Sequence, residues 1–358
     1  MGILSKLFKK KEAVTADRFA NKVNNTNSKS LSFKVKEKVS VDESEIPEYQ
    51  GDYAKAIFLY AMSKPSPIKR NSDYVKYFLY ECGIREPAKY HKQMIDEGYL
   101  EASKIEAIVQ ALKVDTLKII LKKLNLPVSG KKAILVKRVL DVDSADILKE
   151  YCDNQTYSIS EKGKIFLKQH DDYIKIHKNQ NWGISWKEYD SCKQPEYSFY
   201  DTIWGILNKR ITQERTLGLM RNDYYNMYEV LCQEGKRKAA IEMLLRVLYL
   251  DLSGVDGIQY WDLYRGGVYS KKEILDTYDV AVMVAPGIIR PIEKFKDVYD
   301  DGMIERIYQL KLQFCCCDKK LFLNIVHSII DGTYDEETVK EKVKVAYRRA
   351  LKEKLNIK

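Results

Sequence analysis

The sequence predicts a mainly α-helical chain built from several small domains, with only minor β-structure. Three observations carry this expectation. After Pro47, apolar residues recur at helical spacing through most of the chain, and the breaks fall at proline, glycine and asparagine. The composition is globular, 45% hydrophobic and 31% charged, and 358 residues are enough for two or three separate cores. Strand signals are few and short, around Gly98–Glu101 and Thr156–Ile159.

Residues 1–46 are expected to be a basic, disordered arm. Up to Lys38, the ten basic residues Lys6, Lys9, Lys10, Lys11, Arg18, Lys22, Lys29, Lys34, Lys36 and Lys38 face only Glu12, Asp17 and Glu37, with Asp42, Glu43 and Glu45 following. Such a composition buries too little apolar surface to offset chain entropy. Ile3, Leu4, Leu7 and Phe8 could line one side of a short basic helix that touches acidic lipid or nucleic acid, although a solvated tail is the preferred reading.

Residues 47–111 read as a helix-turn-helix-like domain. Asp52 is placed to cap a helix over Tyr53–Met62, with Ile57, Tyr60 and Ala61 inward and Pro65 and Pro67 ending it. A second helix begins at Ser72 or Asp73 and stops at Cys82-Gly83, and Pro87 opens a third that Gly98 closes. Phe78-Leu79, Gly83-Ile84, Tyr90, Met94 and Ile95 have nearly helix-turn-helix spacing, with a plain helical hairpin as the alternative. Much later, Thr156–Ile159 reads as a strand and Ser160 as the cap of a helix with Ile165-Phe166-Leu167 on its apolar face. Together with Gly98–Glu101, these residues outline the two halves of a wing with a module inserted between them.

The inserted stretch, residues 112–141, is the most informative. Val114, Leu117, Leu121 and Leu124 form one helical stripe behind a cap at Asp115. Asn125 suits a left-handed helix stop, Leu126-Pro127 is extended, and Ser129-Gly130 begins a second helix with Leu135, Val136 and Val139 facing the first. Asp115 is the only acid among Lys113, Lys118, Lys122, Lys123, Lys131, Lys132, Lys137 and Arg138. A glycine before a helix start lets backbone approach a phosphate, and the positive end of the helix dipole favours an anion there. The candidate DNA-binding residues are Lys118, Ser129, Gly130, Lys131, Lys132, Lys137 and Arg138. The alternative is a solvated lysine face.

This stretch resembles the SAP family, two helices joined by a G-L-x-x-x-G-x-K loop, with Asn125 in place of the usual first glycine. The resemblance implies binding to double-stranded DNA, often A/T-rich, with limited sequence reading. Gly51-Asp52-Tyr53-Ala54-Lys55, Tyr80–Ile84, Trp204–Asn208 and Ala285-Pro286-Gly287 are similar to segments of uncharacterised SAP-containing proteins of Gram-positive bacteria and their phages, a likeness that brings no known activity.

Residues 142–196 are expected to be the wing and a connector, and 197–358 a helical carboxy-terminal domain. Asp223–Gln233 and Arg237–Asp251 form a helical hairpin, turned at Glu234-Gly235-Lys236, with Met227, Val230 and Leu231 against Ala240, Leu244, Leu245 and Leu248. Small Ala239 and Ala240 allow close approach. The pair resembles one tetratricopeptide unit, with no second copy at a period of about 34 residues. Further helices are expected at Glu293–Tyr299, Ile304–Leu312 and Glu336–Leu355, the last with Val339, Val343, Ala346, Tyr347, Ala350 and Leu351 on one face.

Other chemistries find little support. The four histidines show no ligand spacing, and His170, Asp171, Asp172 and His177 read better as a solvated helix face than as a metal site. Cys315, Cys316 and Cys317 are read as reduced, mostly buried thiols on a cytoplasmic helix. The glycines at 254, 257, 266 and 267 precede no G-K-[ST], and no nucleophile–base pair stands out. A non-enzymatic, cytoplasmic DNA-binding protein without cofactors is expected, its carboxy-terminal half contacting a protein partner or itself. The apolar run at Val280–Ile289 is interrupted by Pro286-Gly287, so no stable membrane insertion is expected. The rivals are a peptide-sensing regulator that joins the helix-turn-helix to the tetratricopeptide-like half, an interaction protein whose basic patch meets acidic protein or lipid, and, third, a nuclease.

Overall fold

The computed structural model describes residues 46–142, 155–213 and 216–357. The expected basic arm therefore lies outside the described residues, apart from Ile46. The described chain is mostly helical with one small sheet.

The first described helix, α1 (Gly51–Ala61), is the centre of the amino-terminal core. Phe58 lies within 4.8 Å of Phe78 and 5.0 Å of Tyr90, ring centre to ring centre. Ile57 is fully buried as expected, but Tyr60 and Ala61 are only half-buried, while Tyr53, Ala54, Phe58 and Leu59 are inside. The expected stripe was too narrow because later elements cover α1 from the other side. Asp52 makes no cap. It sits in the first turn, and Gln50 precedes the helix, its backbone N–H bonded to the Cys82 carbonyl.

The chain then forms a strand, β1 (Ser66–Pro67), a 3-10 turn at Asn71–Asp73, and a short α2 (Tyr77–Tyr80) where a longer helix was expected. Gly83 ends this region at φ +70°, and a Cβ there would meet the Glu48 carbonyl oxygen at 2.4 Å, so only glycine fits. Pro87 opens α3 (Pro87–Asp96), and Gly98 follows it at φ +76°. Two more strands, β2 (Leu100–Ala102) and β3 (Thr156–Ile159), pair antiparallel, Leu100 opposite Ile159 and Ala102 opposite Tyr157. On its other side β3 pairs with β1, giving the order β1-β3-β2. Pro67 is tolerated because β1 is an edge strand. Helix, strand, two helices and two strands in this sheet order make the winged form of a helix-turn-helix-like layout.

Among the described residues between β2 and β3 are three helices with their own apolar cluster: α4 (Ile105–Ala111), α5 (Val114–Lys123) and α6 (Lys132–Leu140). After β3, Ser160 caps α7 (Glu161–Gln169) by accepting from the Gly163 N–H, and its hydroxyl donates to the Gly98 carbonyl. A Cβ on Gly163 would meet the Tyr99 carbonyl oxygen at 2.4 Å, so glycine is what lets α7 lie against the α3–β2 turn. Phe166 and Leu167 pack on the core, but Ile165 is exposed.

Helices α8 (Asp171–Lys178) and α9 (Trp186–Cys192) join the amino-terminal and carboxy-terminal cores. Trp186 stacks on Tyr53 at 5.5 Å, and Trp182 is buried in the second core with its indole N–H on Glu229. In that core α10 (Phe199–Gln213) precedes the hairpin of α11 (Leu217–Gln233) and α12 (Arg237–Ser253). Gly235 turns the hairpin at φ +74°, and all seven expected apolar positions are buried. Ala240 is at the contact, whereas Ala239 is exposed.

Further helices follow α12 in the same core, among them α13 (Pro286–Glu293), α14 (Gly302–Ile307), α15 (Lys319–Ile330) and α16 (Glu336–Leu355). Two expectations are corrected. The helix placed at Glu293–Tyr299 ends where it was to begin, because Pro286 starts it early. The one placed at Ile304–Leu312 stops at Ile307, after which Leu310 and Leu312 pack from irregular chain. The face of α16 is as expected, with Ala350 at its half-buried edge. Cys315–Cys317 are in irregular chain rather than on a helix: the Cys316 N–H bonds the Ser253 carbonyl at 2.8 Å, and burial raises all three thiol pKa values. No helix among the described residues is long and apolar enough to cross a membrane.

Candidate nucleic-acid interface

The inserted module is held by a small, complete core. Val109 of α4, Leu117, Ile120 and Leu121 of α5, and Leu135 and Val139 of α6 are fully buried, with Val136 nearly so. Leu112, Leu124, Leu126, Val128 and Leu140 close its edges. Two expectations shift here. Val114 is 37% exposed and Ile120 takes its place inside; and Asp115 lies in the first turn of α5 without capping it. Helix α4, whose Val109 completes the core, was missed, although Ile105, Ile108 and Val109 carry the periodic signal.

The turn between α5 and α6 is built from backbone bonds. Asn125 is left-handed at φ +56°, its N–H bonds the Lys122 carbonyl at 3.0 Å, and the Leu126 N–H bonds the Leu121 carbonyl at 2.8 Å. This is the double bond of a Schellman stop, completed by packing of Leu126 in the same cluster as Leu121. Asparagine therefore does here what glycine would do.

Arg138 then secures the loop from behind. Its guanidinium donates to the carbonyl oxygens of Pro127 at 2.8 Å and Ser129 at 2.6 Å. It was expected to bind DNA; both of these bonds come from Nη1, so the side chain holds the loop with one of its three nitrogens. The spacing of nine and eleven residues could have shown this only once the loop's course was known.

The start of α6 is open. Gly130 is exposed at φ +123°, with Ile134 the nearest side chain to where a Cβ would stand. Lys131 precedes the helix in extended conformation, and no side chain caps the first turn. The first N–H groups of a helix have no partner within it and carry partial positive charge. Ser129, Lys131 and Lys132 are exposed beside them. Among the described residues no carboxylate pairs with Lys131, Lys132 or Lys137. Lys137 is exposed more than a turn further on, and Lys118 is exposed on α5, sharing a face with Lys122 four residues on. The structure thus gathers Ser129, Gly130, Lys131 and Lys132 at one point, places Lys118 and Lys137 on flanking helix surfaces, and ties Arg138 to the loop by two hydrogen bonds. Ile119 and Ile134, about half-exposed among these lysines, were not singled out from the sequence.

The weaker metal guess dissolves. His170 stacks on Tyr173, Asp171 pairs with Lys175, Asp172 accepts from Tyr189 and Lys193, and His177 bonds Glu81 at 2.8 Å. Among the described residues no group of histidine, cysteine and carboxylate side chains is arranged to hold a metal ion.

No curated protein matches the chain. Residues 108–143, the segment that holds α5, α6 and the open helix start, match the model of the SAP domain, a family of DNA-binding modules.

Proposed function

We propose that the protein grips duplex DNA through residues 108–143 with little reading of base sequence, and that it is a binding protein rather than an enzyme. One observation carries this: the uncapped start of α6 presents backbone N–H groups, a glycine at φ +123° and Lys131 and Lys132 together. A phosphate oxygen fits such a point, and phosphate contacts position a protein without reading sequence. Lys118, Lys122 and Lys137 add charge on the flanking helix surfaces. The helical carboxy-terminal half would hold a protein partner or a second copy, and the cytoplasm of a Gram-positive bacterium or the genome of its phage is the setting that the wider sequence likeness supports.

The test is a titration of the full chain against duplex and single-stranded DNA at several salt concentrations. Duplex binding that weakens with salt, by about 0.9 in log–log slope per phosphate contacted, supports the reading. Binding that is absent, or indifferent to Lys131→Ala/Lys132→Ala, overturns it.

A further inference from the structure

The module leaves and rejoins the winged domain at two adjacent, paired strands. Ala102 stands opposite Tyr157, the Ser103 N–H bonds the Thr156 carbonyl at 2.8 Å, and the Ser103 and Ser158 hydroxyls share a hydrogen bond at 2.6 Å. Only Ser103 and Lys104 separate β2 from α4. The module therefore occupies the position of the wing loop. The helix that runs into this wing, α3, buries Tyr90, His91 and Met94 and exposes Lys89, Lys92, Gln93 and Asp96. Lys89 and Lys92 stand three residues apart on the helix, and Arg85 is exposed in the chain just before it.

The surface around α3 is basic as well. From Ser63 to Asp96 the chain carries seven lysines and arginines against four acids. One of those acids, Glu81, is turned inward and bonded by Tyr53 and His177. Lys69, Arg70 and Lys76 are exposed. The pair of Lys89 with Glu86, 3.7 Å apart and with both partners mostly exposed, is too weak to withhold Lys89 from a phosphate. The start of α3 is fixed by the Asn71 side chain, which accepts from the Ala88 N–H at 2.9 Å. A rigid helix with a cationic outer side and a tethered DNA-binding module beside it fits a polyanion with repeating phosphates.

We propose that α3 is a second duplex-binding surface, through Arg85, Lys89, Lys92 and Gln93, and that the module in the wing grips the same duplex next to it. This rests on the DNA-binding reading of the module. Two linked contacts raise affinity through effective concentration, without either being strong.

Hydroxyl-radical footprinting of the full chain on a duplex of about 30 bp tests this, since that length gives nearly three helical turns for two contacts. The expected result is two protected segments. Arg85→Ala/Lys89→Ala/Lys92→Ala should lose one of them and flatten the log–log salt slope by about 2.7, while the segment protected by the module persists. A second measurement needs no variant: bound duplex should shield Lys89 and Lys92 of the wild-type chain from an amine-modifying reagent. The proposal is overturned if the triple variant keeps wild-type slope and footprint and both lysines stay reactive, while Lys131→Ala/Lys132→Ala loses binding. If Lys131→Ala/Lys132→Ala changes nothing, the module does not grip DNA and both readings fall.

Discussion

The Arg138 guanidinium donates to the Ser129 carbonyl oxygen at 2.6 Å, across the mouth of the loop that precedes α6. A second bond, to Pro127, ties the same side chain to the middle of that loop at two carbonyls. In the proposed DNA grip, the arginine and its lysine neighbours would therefore act by different routes, and the routes are separable. Arg138→Ala should lower stability by about 1 kcal/mol and weaken DNA binding. Its salt slope should stay near wild type, because no phosphate contact is removed. Lys131→Ala/Lys132→Ala should leave the melting temperature unchanged and flatten the slope by about 1.8. Equal slopes for the two variants would contradict this division of labour.

Two backbone positions flank the same loop. Gly130 sits at φ +123°, where any side chain is strained, so Gly130→Ala should cost about 1–3 kcal/mol whatever the ligand does. A bulky residue there tests the turn more than the phosphate contact. Asn125 at φ +56° offers a cleaner probe: Asn125→Gly should match or exceed wild-type stability, and Asn125→Ala should lose about 1 kcal/mol. Thermal melts of the three variants would show the ranking, and an Asn125→Ala protein as stable as Asn125→Gly would refute it.

In the carboxy-terminal core, Ala240 is fully buried where α11 meets α12. Ala240→Leu forces three extra heavy atoms into that contact and should cost about 1–3 kcal/mol. DNA affinity should be intact in the folded fraction, since the module's core is a separate cluster. A large affinity change in still-folded protein would instead favour a regulator whose helical half is coupled to DNA binding.

His91 gives a pH dependence. Its ring is fully buried, Nδ1 bonds the Tyr74 hydroxyl at 2.8 Å, and Nε2 has no partner among the described residues. Burial lowers its pKa from 6.5 to about 4. The unfolded chain therefore takes up a proton as pH falls below 6.5, while the folded chain resists until about pH 4. Stability present above pH 6.5 should be lost across that window, by about 2–3 kcal/mol. Denaturant titrations of the wild type and His91→Gln between pH 7 and pH 4 should diverge by this amount, and parallel curves would show that His91 is not responsible.

The sequence by itself determined the elements whose signals are local. Helical spacing located α5, α6, α11, α12 and α16, and single residues marked the ends of these and other helices: Pro87, Gly98, Asn125, Ser160 and Gly235. These features act within four residues, so a linear reading reaches them. The basic character of residues 113–138 was legible for the same reason. Tertiary structure decided what depends on distant partners. Thr156 and Tyr157 pair with Pro67 and Ser66 across some ninety residues, which makes the sheet three-stranded. Trp186 on Tyr53 joins two cores, and the Ser253 carbonyl holds Cys316 in irregular chain rather than on a helix. Arg138 bonds the loop because the loop's carbonyls lie within its reach, and hydrogen-bond satisfaction of that kind depends on three-dimensional proximity, which no spacing along the chain encodes.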